Sequence, residues 1–505
     1  MKKIATVLEY HDRTKHRPSR YAASLGYMDW ATQPDPFRRY AGAESIPLVF
    51  TEATPPYHLL YGSEPLPAAP LCLESVSQFL RYGLGIAAWK SHGPSRWALR
   101  CNASSGNLHP TECYLITPPI NGISEEYSLS HYAPKTHTLE RLHTFKEPVG
   151  YGSVPGLWVV LSSVIWREAW KYGERCWRYC QLDAGHAFEA IRTSARMLGW
   201  NCTLIPADTA RLESVCGLDQ TERFHPDERE SADMLLWISP SDALNELTFP
   251  DLPKLQSTAN VLSPSHHDWP VLSLIDEATR GVYPRALPSL NRSILPSPSK
   301  SAGEVVLKRR SAQMMDRSGI SEAQFRQILD ASLECREALD VHFVLFVHRV
   351  EGLEPGLYLY LRDHGDLDAL RGALNPAFSW KDCQNGLYLL NAGDYRGAAQ
   401  MISCNQEIAR DGAFSFGMLC RFSEALEKHG GIGYKYLYHQ CGAIGQMLYL
   451  ESTSLGLSAT GIGCFLDDEF HGLLGLTDQR FQSLYHFTIG RAIVDTRITT
   501  EPPYR

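Results

Sequence analysis

A chain of 505 residues, 44% hydrophobic and 21% charged, is long enough for two globular domains with their own cores, which excludes disorder as its default state. A formal net charge of −8 excludes the basic footprint that a nucleic-acid binder uses to neutralise phosphates. Thirteen cysteines, an odd number without C-x-x-C pairs, favour reduced thiols over a disulfide framework.

The start, Met1-Lys2-Lys3-Ile4-Ala5-Thr6-Val7-Leu8-Glu9-Tyr10-His11, holds no apolar stretch long enough for a secretory signal. No later segment approaches about 18 uncharged apolar residues, so the expectation is a cytoplasmic protein without a membrane partner. Arg100 to Tyr114 then forms a polar turn, Ser104-Ser105-Gly106-Asn107-Leu108-His109-Pro110, ahead of a short apolar strand. Backbone N–H groups, the hydroxyls of Ser104 and Ser105 and the amide of Asn107 suit the edge of a flat polar heterocycle, although an ordinary surface loop has the same composition. Gly150-Tyr151-Gly152-Ser153-Val154-Pro155-Gly156 lacks the spacing of a dinucleotide fingerprint and carries a helix-disfavouring proline.

Leu157 to Leu161 has strand composition, and the stretch from Arg178 to Trp200 has apolar positions at helical spacing. Cys176 and Cys180 share one face of that helix, where two thiols alone make a poor metal site. Residues 251 to about 303 carry Pro253, Pro264, Pro270, Pro284, Pro288, Pro296 and Pro298 among serines, a composition that suits a linker. Ser265-His266-His267-Asp268 lies within it without further ligands at useful spacing, so no metal is expected.

Beyond the linker, Arg309, Arg310 and Ser311 offer two guanidinium forks and a hydroxyl, donors that suit a phosphate and a ribityl chain; a solvated basic run is the plainer alternative. Ser321 to Leu333 has helical periodicity, with Ser321 and Gln324 spaced as a capping box, and Val341 to Val347 has strand composition. Gln440 to Leu455 is again helical, and Lys435-Tyr436 precedes it. Gly461, Ile462 and Gly463 permit a close backbone approach of the kind a ring needs, and also of the kind an ordinary turn needs. Near the end, Arg491 and Arg497 are further candidate phosphate partners.

An internal repeat sets the architecture. Tyr179 to Gly185 and Tyr436 to Gly442 are both steps of 6, and Gly185 to Gly199 and Gly442 to Gly456 are both steps of 14, at an offset of 257 (442 minus 185). The expected division is a first domain over 1–250, a linker over 251–303 and a second domain over 304–505. Two copies of one domain imitate a homodimer, and a two-fold interface offers a shared concave site.

Taken together, His11 to His16, Ser104-Ser105-Gly106-x-x-His109-Pro110-x-Glu112, Val350-Glu351-Gly352-Leu353-Glu354-Pro355-Gly356-Leu357-Tyr358, the Gly442-to-Gly456 helix and Gly461-Ile462-Gly463-x-Phe465 resemble the nitroreductase superfamily. More closely they resemble its SagB-type branch, which includes the thiazoline and oxazoline dehydrogenases. The resemblance implies an α+β fold: two tandem nitroreductase-like α/β sandwich domains forming an intrachain pseudo-dimer, with further homo-oligomerisation left open. It implies FMN as cofactor, with Arg309, Arg310, Ser311 and Arg491 or Arg497 at phosphate and ribityl, and Gly461, Ile462 and Gly463 near the reactive ring edge. Ser104, Ser105 and Asn107 would approach from the N-terminal half.

Two departures qualify the symmetry. Ser332 to Asp340 stands where a Ser-Ser-Gly turn is expected in the second copy, and Ile205-Pro206-Ala207-Asp208 replaces the Gly-Ile-Gly turn in the first, so one FMN per chain is expected. Gln313 stands where many relatives carry an arginine. By the same resemblance Lys435 and Tyr436 are the candidate catalytic pair, assisting removal of a ring proton from a heterocyclic small-molecule or peptide substrate. The other readings are a nitro or quinone reductase with NAD(P)H as transient reductant, and a non-catalytic flavin-binding scaffold.

Overall fold

The computed structural model describes residues 2–62, 65–146, 154–243, 249, 251–284, 300–334 and 340–504. Among the described residues there are two compact units, one within 2–22 and 308–497, the other within 23–284, 300–307 and 498–504. The ends are therefore exchanged relative to the sequence-based division. The first helix, α1 (Lys2–Arg13), is part of the 308–497 unit, where it buries Val7, Tyr10 and His11. The tail strand Thr499–Glu501 pairs with Ile86–His92 in the other.

The unit built on residues 23–284 contains an antiparallel sheet of seven strands: β1 (Glu44–Pro47), β2 (Thr111–Thr117), β3 (Tyr127–Ala133), β4 (Thr138–Phe145), β5 (Leu157–Val164), β6 (Asn201–Ile205) and β7 (Glu230–Ser239), in the order β1-β4-β3-β2-β5-β7-β6. The strands β2, β5 and β7 are buried at every position, which is why they show no alternation of apolar and polar residues. The helices of this unit include α2 (Leu73–Leu84), α3 (Ile165–Tyr172), α4 (Cys176–Met197) and α5 (Thr209–Cys216). Helix α5 sets Leu212 and Val215 against Trp158 and Trp237, whose ring centroids lie 4.5 Å apart.

Two elements fall inside the expected linker. Thr258–Ala259 pairs with Tyr40–Ala41, and α6 (Pro270–Ala278) is a helix that buries Leu272, Ile275 and Ala278. The proline that argued against structure here occupies the first helical position, where its missing N–H would have had no helical partner.

The unit built on residues 308–497 contains α7 (Glu322–Ala331), with the Ser321–Gln324 capping box in place. Its sheet comprises β8 (Val341–Val347), β9 (Gly356–Tyr360), β10 (Lys381–Asp382), β11 (Leu387–Ala392), β12 (Phe414–Arg421), β13 (Ser458–Ile462) and β14 (Phe481–Gly490), in the order β10-β11-β9-β8-β12-β14-β13. Helices α8 (Phe422–His429), α9 (Ile432–Ser454) and α10 (Asp467–Leu474) interleave with the last three strands. Apart from the edge strand, this is the order of the first sheet. Over the middle of the two units the spacing agrees residue for residue: adding 257 to β5 (157–164) gives β12 (414–421), to the start of α3 (165) gives α8 (422), and to β6 (201–205) gives β13 (458–462), whereas β7 and β14 start 251 residues apart. Among the described residues, no helix is long and apolar enough to cross a membrane.

Candidate functional site

The basic segment of the 308–497 unit runs beside the edge of its sheet. Ser311 bridges Ala459 at the start of β13, the Ala312 N–H donates to the Ala459 carbonyl at 3.1 Å, and the Thr460 hydroxyl donates to the Ala312 carbonyl at 2.6 Å. A few residues on, the Asp316 N–H donates to the Arg491 carbonyl at 2.9 Å, and Met315 bridges Ala492. Because Ser458 pairs with Gly490 and Gly461 with Phe487, Arg491 follows one end of the β13–β14 pairing and Gly461 lies three pairs further along it, while Ser311 and Ala312 meet β13 at Ala459 between them.

Tyr449, on the C-terminal half of α9, ties this group together. Its hydroxyl lies 2.8 Å from the Ser311 hydroxyl and accepts the Gly461 N–H at 2.8 Å, and the Arg309 guanidinium sits 5.1 Å from its ring centroid. Arg309 is only 4% exposed, so it is no solvated basic run. Gly461 is required sterically: a Cβ there would lie 1.8 Å from the Tyr485 hydroxyl. Tyr449 was not singled out in the sequence, where nothing separates it from the other aromatic residues of a buried helix.

Arg497 lies in solvent and is paired with Asp495. Its side chain is 76% exposed and grips Asp495 with two N–H groups at 2.9 and 2.7 Å, which neutralises its charge locally.

Lys435 and Tyr436 lie in the first turns of α9, buried at 1% and 7% exposure. Lys435 is a buried helix residue rather than a surface lysine. The pair stands 14 residues (449 minus 435) from Tyr449, about 21 Å along the helix axis. One turn further on, His439 is held well below its ordinary pKa, chiefly by burial and then by the nearby Lys435 charge, so it is neutral at pH 7. On the neighbouring face, Nδ1 of His11 meets the Tyr434 hydroxyl at 3.1 Å and Nε2 of His11 meets the Gln482 carbonyl oxygen at 3.2 Å.

In the 23–284 unit, the Ser104–Asn107 turn is tightly organised. Ser105 donates its N–H to both oxygens of Asp183, at 3.0 Å each, and its hydroxyl to Oδ1 at 2.9 Å; Ser104 accepts the His109 N–H at 2.8 Å; Asn107 donates to the Ala98 carbonyl at 2.9 Å. Gly106, Asn107 and His109 all take left-handed backbone conformations, with φ of 58°, 61° and 53°. The Asp183 carboxyl is pushed up to about 7 by burial, opposed by hydrogen bonds from Ser104 and Ser105. Glu168 of α3 is also raised, first by burial and then by Asp183, and neither of its oxygens has a hydrogen-bond partner in the structure. The motif's Glu112 is structural: it is fully buried, ion-paired to Arg167 and bonded to His131 at 2.9 Å.

At the position equivalent to Asp183 the other unit carries an amide in place of the carboxyl. Gln440, 257 residues after Asp183, donates to Asp340 at 3.0 Å. The residues 335–339 of the expected degenerate turn lie outside the described residues, as do 147–153 of the glycine-rich segment.

His266, set aside in the sequence for want of partners, meets them from a distance of about forty residues. His225, Glu228 and His266 bring their potential ligand atoms within 4.8 Å of one another. One Glu228 oxygen is already occupied, accepting the N–H groups of Leu262 and Ser263 at 2.9 Å and lying 2.8 Å from Nε2 of His266. The cluster therefore ties the 258–268 segment to the unit, and a metal there would have to displace those bonds.

Residues 306–491 match the model of the nitroreductase family, so the segment that carries Arg309, Tyr449, Gly461 and Arg491 is a nitroreductase-family domain. A solved structure from Anabaena variabilis ATCC 29413, assigned to the nitroreductases, is 21% identical and covers 97% of this chain and 99% of that one with a TM-score of 0.71, which shows the fold. Two weaker likenesses are to an assigned nitroreductase of Ralstonia eutropha JMP134 (18% identity, 41% of this chain and 94% of that one, TM-score 0.28) and to the Escherichia coli microcin synthetase McbBCD complex (16%, 48% and 94%, TM-score 0.28). No curated protein matches the sequence.

Proposed function

We propose that the chain is an FMN-dependent oxidoreductase of the SagB-type branch, a fused duplication that binds one FMN and acts on a heterocycle in a peptide or small metabolite. The observation that carries this reading is the group made by Arg309, Ser311 and Gly461 around Tyr449, inside the segment that matches the nitroreductase family. Its donors fit the group in question: the Arg309 guanidinium and the Ser311 hydroxyl match a phosphate and the start of a ribityl chain, with Arg310 and Arg491 as further candidate donors.

Bound FMN would supply a two-electron acceptor at its N5 position. The chain's own residues would do the rest. Arg309 and Arg310, with Arg491, offset the phosphate charge, and Ser311 offers its hydroxyl. The Gly461–Gly463 backbone permits a close approach without a side chain. Lys435, buried one turn before His439, would in its unprotonated form take the substrate proton together with Tyr436.

Anaerobic photoreduction of the flavin-loaded protein followed by admission of air tests the reading. A flavin that bleaches and recovers supports a catalytic role. One that cannot cycle makes the protein a flavin-binding scaffold, and rapid bleaching by NAD(P)H alone makes it a nitro or quinone reductase.

A further inference from the structure

Cys464 directly follows the Gly461–Gly463 turn, and its sulfur lies 2.8 Å from that of Cys404. That is much closer than Cys420 and Cys441, at 3.5 Å, and within about 0.8 Å of a disulfide bond length. The two turns that carry the pair are held independently of the sulfurs. Cys404 and Asn405 adopt left-handed backbone conformations at φ of 53° and 60°, which an L-residue keeps only where its surroundings impose it. The Gln406 side-chain amide donates to the Cys464 carbonyl at 3.2 Å, locking one turn to the other. Access also separates the pairs: Cys420 and Cys441 are both 0% exposed, whereas Cys404 and Cys464 are half-buried, and Tyr21, which hydrogen-bonds Cys404, is 50% exposed.

We propose that Cys404 and Cys464 form a redox-active dithiol that exchanges with low-molecular-weight disulfides. One cysteine, having lost its proton to solvent, attacks a sulfur of the small disulfide; a protein–small-molecule S–S bond forms and one small thiolate leaves. The second cysteine, likewise deprotonated, attacks the protein sulfur of that mixed disulfide, closing the Cys404–Cys464 bond and releasing the second small thiolate. Two protein thiols are oxidised, one small disulfide is reduced to two thiols, and the two protons released are taken up by the two leaving thiolates. The product fastens the Ser403–Gln406 turn to the end of β13 across 60 residues of chain. This chemistry rests on the sulfur geometry alone and stands whether or not the protein binds flavin.

The test uses the full chain and oxidised glutathione, with acid quenching, alkylation under denaturing conditions and peptide mapping by mass spectrometry. The expected result is loss of two of the thirteen alkylatable thiols in a single linked species that joins the Cys404 and Cys464 peptides and reopens with dithiothreitol. Cys404→Ser and Cys464→Ser should each stop at one mixed disulfide on the remaining member. Thirteen alkylatable thiols after treatment, a link between other cysteines, or a stable glutathione adduct on the wild-type pair would each overturn the proposal.

Discussion

Ser105 and Asp183 are joined through both the backbone and the side chain of the serine, and the carboxyl that receives these bonds is nevertheless pushed up to about 7 because it is buried. An unfolded aspartate releases its proton near pH 4, about 3.9. Between these values the folded protein holds a proton that the unfolded chain has lost, so stability from this group is fully present below about pH 4 and is lost as pH rises through 7. The melting temperature should fall between pH 5 and 7.5. Asp183→Asn, which keeps an acceptor for Ser105, should flatten that slope by an amount worth on the order of a few kcal/mol, with Glu168 supplying the remainder. Equal slopes in the two proteins would show that Asp183 titrates normally.

Gly461 tests the packing behind the site. Adding a methyl group there places it against the Tyr485 hydroxyl, and Gly461→Ala should cost about 1–3 kcal/mol in denaturant unfolding, the usual range for overpacking. The double variant Gly461→Ala/Tyr485→Phe should recover part of that loss, because the closest atom is gone while the ring carbon behind it remains. No recovery would mean that the cost arises elsewhere on β13.

Two arginines with similar sequence credentials should behave differently. Arg309→Ala removes a buried guanidinium, and a charge-assisted bond to phosphate is worth about 1.5–3 kcal/mol, so FMN should bind at least about tenfold more weakly. Arg497→Ala removes a side chain already gripping Asp495 in solvent and should leave FMN affinity unchanged. Fluorescence titration of the apoprotein with FMN distinguishes them, and equal losses would contradict the assignment.

How far the sequence reached can be seen in particular residues. The strands Leu157–Val164 and Val341–Val347 and the Ser321 cap were legible because they rest on local composition and spacing, and the 257-residue spacing recurs in the strands 157–164 and 201–205, matched at 414–421 and 458–462. Helix α6 was hidden because Pro270 reads as a breaker unless it is known to be the first helical residue. Tyr449, Glu168 and the His225–Glu228–His266 cluster were not legible, since each depends on partners brought together by the fold rather than by spacing. The membership of α1 in the second half's unit is equally a long-range fact, expressed by His11 meeting Tyr434.

Lys435→Met keeps most of the apolar stem and removes the charge. If the lysine takes a proton during turnover, kcat should fall by about a hundredfold or more, with FMN content and KM nearly unchanged, and the limb of the pH–rate profile that reports its ionisation should disappear. A fall in flavin content matching the fall in rate would instead assign Lys435 to folding of α9. His439 sits one turn away and should not titrate near neutrality, so His439→Gln should leave the same limb in place.

The most direct measurement is an absorbance spectrum of the purified, FMN-reconstituted protein, with the released cofactor identified and counted per chain. The account predicts a flavin spectrum and about one FMN per polypeptide, since only one copy of the repeat carries the Arg309–Ser311 group beside a Gly-Ile-Gly turn. Two FMN per chain would contradict the single site, and no flavin after reconstitution would contradict the oxidoreductase reading itself.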